Sequence, residues 1–478
     1  MANFETDIVV IAAGPAGLAA AIQAAQDGAE VIVLEKQSTV GGTANMGMGP
    51  LGIGTRYQKQ AMYDISVEKA FNMFMEYSHY NADARLIKRY FEQSADTIEW
   101  LEEMGVEFEG AFKYFPRAEP TWHIVKSETG IGPRAASSMN RVLYSQLKEL
   151  GVQVLLETPA KKILMDGSKV VGVEATDKEG QNVTVKCKAA IIATGGAGAN
   201  PELIQKETGY KYGVDLFNFA VPGIVGDGLK MAWEAGVDKL PVRIEQAARP
   251  IGNEIPASLE TVMGQPNLLV NSHGKRFMNE EQMQNTTFLG NALTQQKDRL
   301  GFSIVDSSIV KRYIRKGVDI VSLVRPNPDV SDFLESAEMI KNIENSGVFI
   351  ADSLEELAEM TGINANNLID TVEDYNDFCE SHDEEFFKDR KYMLPIRKGP
   401  FYCMTFAPGG YGTVGGIRIN ENCEACDQNH DPIPGLYAAG ADACNIYNDS
   451  YMFLLPGNSM GFALNTGRIA AMSAVEKL

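Results

Sequence analysis

Cysteine and histidine are scarce, six and five in 478 residues. So few thiols in so long a chain do not form a disulfide framework, and a reducing cytoplasm is the expected compartment. There is no Cys-x-x-Cys-His haem site and no cysteine cluster spaced for iron–sulfur ligation, so no second redox centre is visible. Basic charge is also short, with 43 Lys plus Arg against 63 Asp plus Glu and a net charge of -20. A surface of that sign repels nucleic acid and anionic lipid, and neither is an expected partner. No apolar run is long enough to span a bilayer. The opening Met1-Ala-Asn-Phe-Glu-Thr-Asp7 lacks the basic-then-apolar order of a signal peptide. What is present is an ordinary balance of 45% hydrophobic and 22% charged residues, in a chain long enough to expect two domains.

Asp7-Ile-Val-Val-Ile-Ala12 has the apolar, β-branched composition of a buried parallel strand. Ala13-Gly14-Pro15-Ala16-Gly17 follows it, then the helix-forming Leu18-Ala-Ala-Ala-Ile-Gln-Ala-Ala-Gln26, the breaker Asp27-Gly28, and a second strand ending at Leu34-Glu35. This strand–turn–helix–strand–acid order belongs to a dinucleotide site. Gly14 lets the backbone approach a pyrophosphate, Gly17 lets the helix pack on the sheet, and Glu35 can accept from a ribose diol. The helix N-terminus offers N–H groups and the positive dipole end to phosphate. Ala12 departs from the pattern, standing where a first glycine is usual; its methyl group is expected to tighten the turn without abolishing it.

Further glycine turns recur along the chain: Gly41-Gly42-Thr43-Ala44, Gly47-Met48-Gly49, Thr194-Gly195-Gly196, and Gly435-Leu-Tyr-Ala-Ala-Gly440. Gly457-Asn458-Ser459-Met460-Gly461-Phe462-Ala463 opens a last helix. Together these motifs resemble the flavoprotein family of fumarate reductase, succinate dehydrogenase and 3-ketosteroid dehydrogenase. The likeness runs nearly the whole chain, through Asp83 to Gly105, Gly226-Asp227-Gly228, Gly274-Lys275-Arg276-Phe277-Met278-Asn279-Glu280 and Pro432-Ile433-Pro434-Gly435.

The resemblance implies an α/β fold: a dinucleotide-binding, Rossmann-like FAD domain from residues 1–248 and 403–478, with an inserted α+β cap domain at 249–402. It implies one FAD, held non-covalently, because Thr43 stands where quinone-coupled relatives attach the flavin through His. It places Glu35 on the adenosine ribose, Asp227 at the ribityl–phosphate region, and Met460, Gly461 and Phe462 at the helix start facing flavin N1 and O2. The cofactor-binding set it implies also includes Ala13, Gly14, Ala16, Gly17, Lys36, Gly42, Thr43, Ala44, Gly49, Ala160, Thr194, Gly195, Gly196, Gly440, Asp442 and Asn458.

The family's dicarboxylate machinery is largely missing. Gln284 stands where fumarate reductases carry the proton-delivering Arg, Asn458 where a clamping Arg lies, and Gly412 where a clamping His lies. Glu260 matches the proton-pathway Glu, but its Arg partner is replaced by Met263; Arg249 stands near another substrate His. Without bidentate Arg–carboxylate pairing, a small dicarboxylate is not the expected substrate. The aromatic run Tyr447-Asn-Asp-Ser-Tyr451-Met-Phe-Leu-Leu-Pro456 and Tyr411 suit an uncharged substrate with rings. Tyr447, Tyr451 or Tyr411 is the expected general acid. His123 lies where relatives often carry a basic residue near the flavin. Cys423-x-x-Cys426 with His430 could hold zinc or act as a dithiol switch, but no fourth ligand is evident; a plain surface hairpin is expected and no metal is assigned. The helix around Ala70-Phe-Asn-Met-Phe-Met reads as a packing face.

The expected activity is therefore FAD-dependent reduction of an activated C=C bond in a small uncharged or aromatic substrate, with proton donation by a Tyr. The alternatives are the reverse reaction, a ketone or ketosteroid-type dehydrogenase, and an electron-carrying flavin subunit. NADH or a separate electron-transfer protein is the expected donor.

Overall fold

The strands Ile8–Ile11 and Val31–Leu34 lie side by side and parallel, Ile8 opposite Val31, and every residue in both is buried. Burial on both faces is what their unbroken apolar sequences require. They occupy the middle of a six-stranded sheet in the computed structural model of the chain, which describes residues 2–219, 221–252, 255–341, 343–447 and 450–478. The sheet order is Glu424–Cys426, Pro432–Ala438, Ala189–Ile192, Ile8–Ile11, Val31–Leu34, Gln153–Leu155. The first of these is antiparallel to its neighbour and the other five run parallel. The mixed α/β architecture is thus the nucleotide-binding kind.

The chain divides into two units. The first comprises Met1–Gly209, Phe219–Glu245 and Tyr411–Leu478, the second Tyr210–Asn218 and Gln246–Gly410. In the first unit, the helix Pro15–Gln26 packs against the C-terminal helix Asn458–Val475. Gly467 makes that approach possible, since a Cβ there would sit 2.2 Å from the Ala16 carbonyl oxygen. A four-stranded sheet (Ala2–Glu5, Asn182–Lys186, Lys169–Thr176, Ala160–Asp166) and the hairpin Phe108–Phe112 with Trp122–Val125 complete the unit. The helix Val67–Tyr77 buries Ala70, Phe74 and Met75, the packing face its sequence suggests.

The second unit has its own core, from Leu259 and Val262 through Phe333 and Tyr375 to Met404. Gly301–Asp306 pairs antiparallel with Phe401–Phe406, and Val348–Ala351 pairs antiparallel with the same strand. A buried ion network braces this unit. Arg276 bonds both oxygens of Glu280 and both of Asp383 at 2.8–2.9 Å, with Lys388 at 3.5 Å from Glu280. Among the described residues no helix is long and apolar enough to cross a membrane.

Candidate functional site

The glycine turn of the first unit is tight because Ala12 adopts φ +84°, the left-handed conformation usually left to glycine. A Cβ on Gly17 would lie 1.9 Å from the Ala12 carbonyl oxygen, so only glycine fits there. Gly14 precedes the helix with no side-chain cap and no acidic residue in the first turn, leaving that positive end open to an anion. Glu35 is buried beneath it; one oxygen accepts from Ala13 N and the other from Gln37 N, both at 2.7 Å. A carboxylate has about four lone-pair sites, so two remain for a diol. The residues present therefore fit the adenosine half of FAD.

The second glycine loop closes on the first. Gly42 opens a short 3-10 turn containing Thr43 and the buried Ala44, and a Cβ on Gly42 would stand 3.4 Å from Gly14 Cα. Gly49, at φ +156°, lies so close to the strand Trp122–Val125 that a Cβ would be 1.8 Å from the His123 carbonyl oxygen. Ala160 begins a strand just past Thr158, whose N–H donates to the Glu35 carbonyl. Lys36 is ion-paired with Asp227 at 2.6 Å, in the first turn of the helix Asp227–Glu234. Gly440 approaches Ala16, and Ala16, Ala193, Ala439 and Ala463 pack together.

Asp442 braces the turn at Thr194. Its buried carboxylate accepts from the backbone N–H groups of Thr194, Gly195 and Gly196 and from the Thr194 hydroxyl. Burial pushes its carboxyl upward and these four donors pull against that. Asp442 and the three N–H groups are turned on one another and shape the turn.

The start of the C-terminal helix is the centre of an aromatic cluster. Gly457, at φ +82°, caps it without a side-chain bond. The Tyr447 hydroxyl donates to Asn458 Oδ1 at 2.9 Å, the Tyr90 hydroxyl donates to the Asn458 carbonyl at 3.0 Å, and Ser459 N donates to the Tyr451 hydroxyl at 3.0 Å. Asn458 Nδ2 is buried without a partner, an amide donor available to a bound group. A Cβ on Gly461 would meet the Tyr90 hydroxyl at 2.5 Å, and one on Gly47 would meet the Met460 methyl at 2.5 Å. Phe462 is fully buried. Tyr447 and Tyr451 are 4.8 Å apart by ring centroid, Tyr451 and Phe453 4.6 Å, Phe453 and Tyr411 6.5 Å, and Tyr411 stacks on Phe219 at 5.4 Å. The three candidate tyrosines thus share one cluster. Asn448 and Asp449 of the same run lie outside the described residues. Tyr447 nevertheless corrects the expectation of a free acid, because its proton is held by Asn458. Burial drives the Tyr447 and Tyr451 phenols well above their ordinary value, while Tyr411 stays 40% exposed.

Sequence reasoning missed Glu245. This partly accessible residue, on the strand Lys239–Pro250, receives the Ser459 hydroxyl at 3.4 Å. Burial raises its carboxyl to about 7, with Ser459 opposing the rise.

His123 is bonded inward at both ring nitrogens. It is fully buried, its Nδ1–H donates to the Thr121 carbonyl at 3.0 Å, and Nε2 therefore accepts from the Thr55 hydroxyl at 2.8 Å. Burial lowers it to about 4, so it is a neutral structural residue at ordinary pH. Cys423 and Cys426 are both free and buried, with their thiols pushed up by burial, which suits neither ligand nor switch.

In the second unit, Glu260 lies in the helix Ala257–Met263 and is ion-paired with Arg325. With Met263 in place of the expected arginine, the partner of Glu260 comes from 65 residues beyond Glu260 itself. Gln284 donates to the Gly264 carbonyl at 3.4 Å.

A family model described as an FAD binding domain matches residues 7–460. The vinyl phenol reductase of Lactiplantibacillus plantarum is 32% identical, over 98% of this chain and 96% of that protein. The NADH:fumarate oxidoreductase of Klebsiella pneumoniae is 28% identical over 98% of this chain and 48% of its own length. The fold is shared with the 3-ketosteroid-Δ4-(5α)-dehydrogenase of Rhodococcus jostii, solved with 4-androstene-3,17-dione. The TM-score is 0.79 and the identity 24%, over 99% of this chain and 98% of that one.

Proposed function

The chain belongs to the FAD-binding-domain family, and from that membership we propose that it reduces the C=C bond of a neutral aromatic substrate of the vinyl phenol kind. It is an FAD-dependent oxidoreductase acting on C=C bonds. When bound, FAD supplies a hydride equivalent, two electrons and one proton, to the substrate.

One observation carries the substrate class: where fumarate reductases hold a carboxylate with arginine, this chain presents the Asn458 amide within an aromatic cluster. An unpartnered amide N–H suits a neutral oxygen, whereas a carboxylate calls for a guanidinium. The aromatic walls match a planar ring in shape and polarity. The start of the C-terminal helix adds a positive dipole end beside Asn458, which favours negative charge building up there during the reaction. The 32% identical vinyl phenol reductase supports the same class. We assign NADH, or a separate electron-transfer protein, as donor; a relative named for NADH supports the first. The flavin is held without a covalent bond, Thr43 offering no imidazole for attachment, and the protein works in the cytoplasm.

The test is anaerobic. Holoenzyme reduced with dithionite is mixed with 4-vinylphenol or with fumarate, and the visible flavin spectrum is followed. Rapid reoxidation by 4-vinylphenol and none by fumarate is expected; the opposite pattern overturns the reading.

A further inference from the structure

Saturating a double bond requires a proton at one carbon besides the hydride equivalent at the other. Two of the three tyrosines expected to give it, Tyr447 and Tyr451, are badly suited. Gln284 has no acidic proton. The Tyr447 proton is engaged by Asn458, and the Tyr451 oxygen is engaged by Ser459 N. Both phenols are so deeply buried that they hold their protons more tightly than a free tyrosine does.

Glu245 is a carboxyl, a stronger acid than an amide or a phenol. It reaches the Ser459 hydroxyl, one residue along the helix from the unpartnered Asn458 amide. Among the described residues of the 444–451 segment, the titratable groups facing it are Cys444, Tyr447 and Tyr451, all of them neutral groups with raised values. From the C-terminal helix it meets the uncharged Ser459 hydroxyl, and Arg243 stands two residues back on its own strand.

We propose that Glu245 is the acid of this site, a neutral carboxyl that gives its proton to the substrate carbon not receiving the hydride equivalent. The assignment rests on the double-bond reductase reading. In the balanced step the π bond breaks and two C–H bonds form. The two electrons and one hydrogen come as the hydride equivalent, the other hydrogen comes from the Glu245 carboxyl, and the resulting carboxylate regains its proton from solvent. A carboxyl held near 7 is protonated in a useful fraction of molecules at neutral pH and still releases its proton readily.

The experiment uses FAD-loaded wild type, Glu245→Gln and Glu245→Asp, with 4-vinylphenol as substrate. In wild type, kcat/KM is expected to fall as pH rises through about 7, because the acid form is consumed. Glu245→Gln is expected to lose roughly 100-fold in kcat or more and to lose that pH limb, with FAD content unchanged. Glu245→Asp should restore part of the rate with the limb displaced. A second readout needs no turnover: the infrared carboxylic C=O band of the resting protein should titrate near pH 7 in wild type and be missing in Glu245→Gln. A wild-type rate and pH profile in Glu245→Gln, or no such band in wild type, overturns the assignment. If Glu245→Gln fails to fold, the wild-type band and pH limb still decide. Wild type that binds FAD but leaves 4-vinylphenol unreduced refutes the reductase reading itself, which separates the two failures.

Discussion

Tyr447 holds Asn458 by its carbonyl oxygen, and that bond turns the amide nitrogen into a buried donor with no partner of its own. The tyrosine is thus a positioning residue. Tyr447→Phe should lower kcat/KM for 4-vinylphenol about tenfold and stability by about 1 kcal/mol, with FAD retained. Steady-state kinetics beside a urea titration checks both effects.

Gly17 and Gly14 separate packing from binding. A methyl group on Gly17 meets a backbone oxygen at 1.9 Å, whereas one on Gly14 finds its nearest neighbour, the Ala193 oxygen, at 4.0 Å. Gly17→Ala should therefore yield little folded protein. Gly14→Ala should fold as wild type and bind FAD more weakly, because its methyl group enters the space a pyrophosphate would use. Circular dichroism and fluorescence titration with FAD distinguish the two.

Removing the Glu35 carboxylate strands the N–H groups of Ala13 and Gln37 and takes away the acceptor for a ribose diol. Glu35→Ala should emerge from purification largely free of flavin and destabilised by about 1–3 kcal/mol. Full FAD content in this variant, read from the visible absorbance, would refute the nucleotide assignment.

His123 makes the protein sensitive to acid. Its folded value of about 4 lies below the ordinary 6.5, so the unfolded chain takes up a proton first as pH falls. Stability should fall between pH 6.5 and 4 by roughly 3 kcal/mol from this residue alone. His123→Gln should show a shallower loss over that window in thermal melts.

In the second unit, Asp383→Ala leaves Arg276 buried with part of its charge unanswered. The expected cost is about 3–5 kcal/mol, seen as a lower urea midpoint. Tyr375 and Phe386, which lie against the guanidinium, cannot replace a carboxylate.

The nucleotide half of the site is legible in the sequence because its order is local. Strand, turn, helix and acid follow one another from Asp7 to Glu35, and each leaves its own periodicity. The start of the last helix is equally plain from Gly457 onward. The chemistry at that helix is not. Glu245 sits in a strand whose alternation gives it the look of an ordinary solvent-facing charge, and only the fold brings it to Ser459. Arg325 comes to Glu260 from a loop no local pattern marks. His123 stands out by rarity alone, and rarity does not report that both its nitrogens are bonded inward. Asp442 looks like a cofactor ligand because it follows a glycine turn, yet its true partners lie 248 residues earlier.

That pairing of Thr194 with Asp442 fixes a timetable for synthesis. The strand Ala189–Ile192 has the earlier Ile8–Ile11 on one side, but its other neighbour, Pro432–Ala438, is made more than 200 residues later. At ordinary translation rates the gap between the two halves is on the order of tens of seconds. Through that interval the nascent chain carries an open strand edge and a helix, Pro15–Gln26, without the C-terminal helix that will cover it. An unpaired edge of this kind is what holding chaperones engage. A nascent chain stopped before residue 432 should accordingly remain bound to them, and release should follow once residues 432–475 have been made.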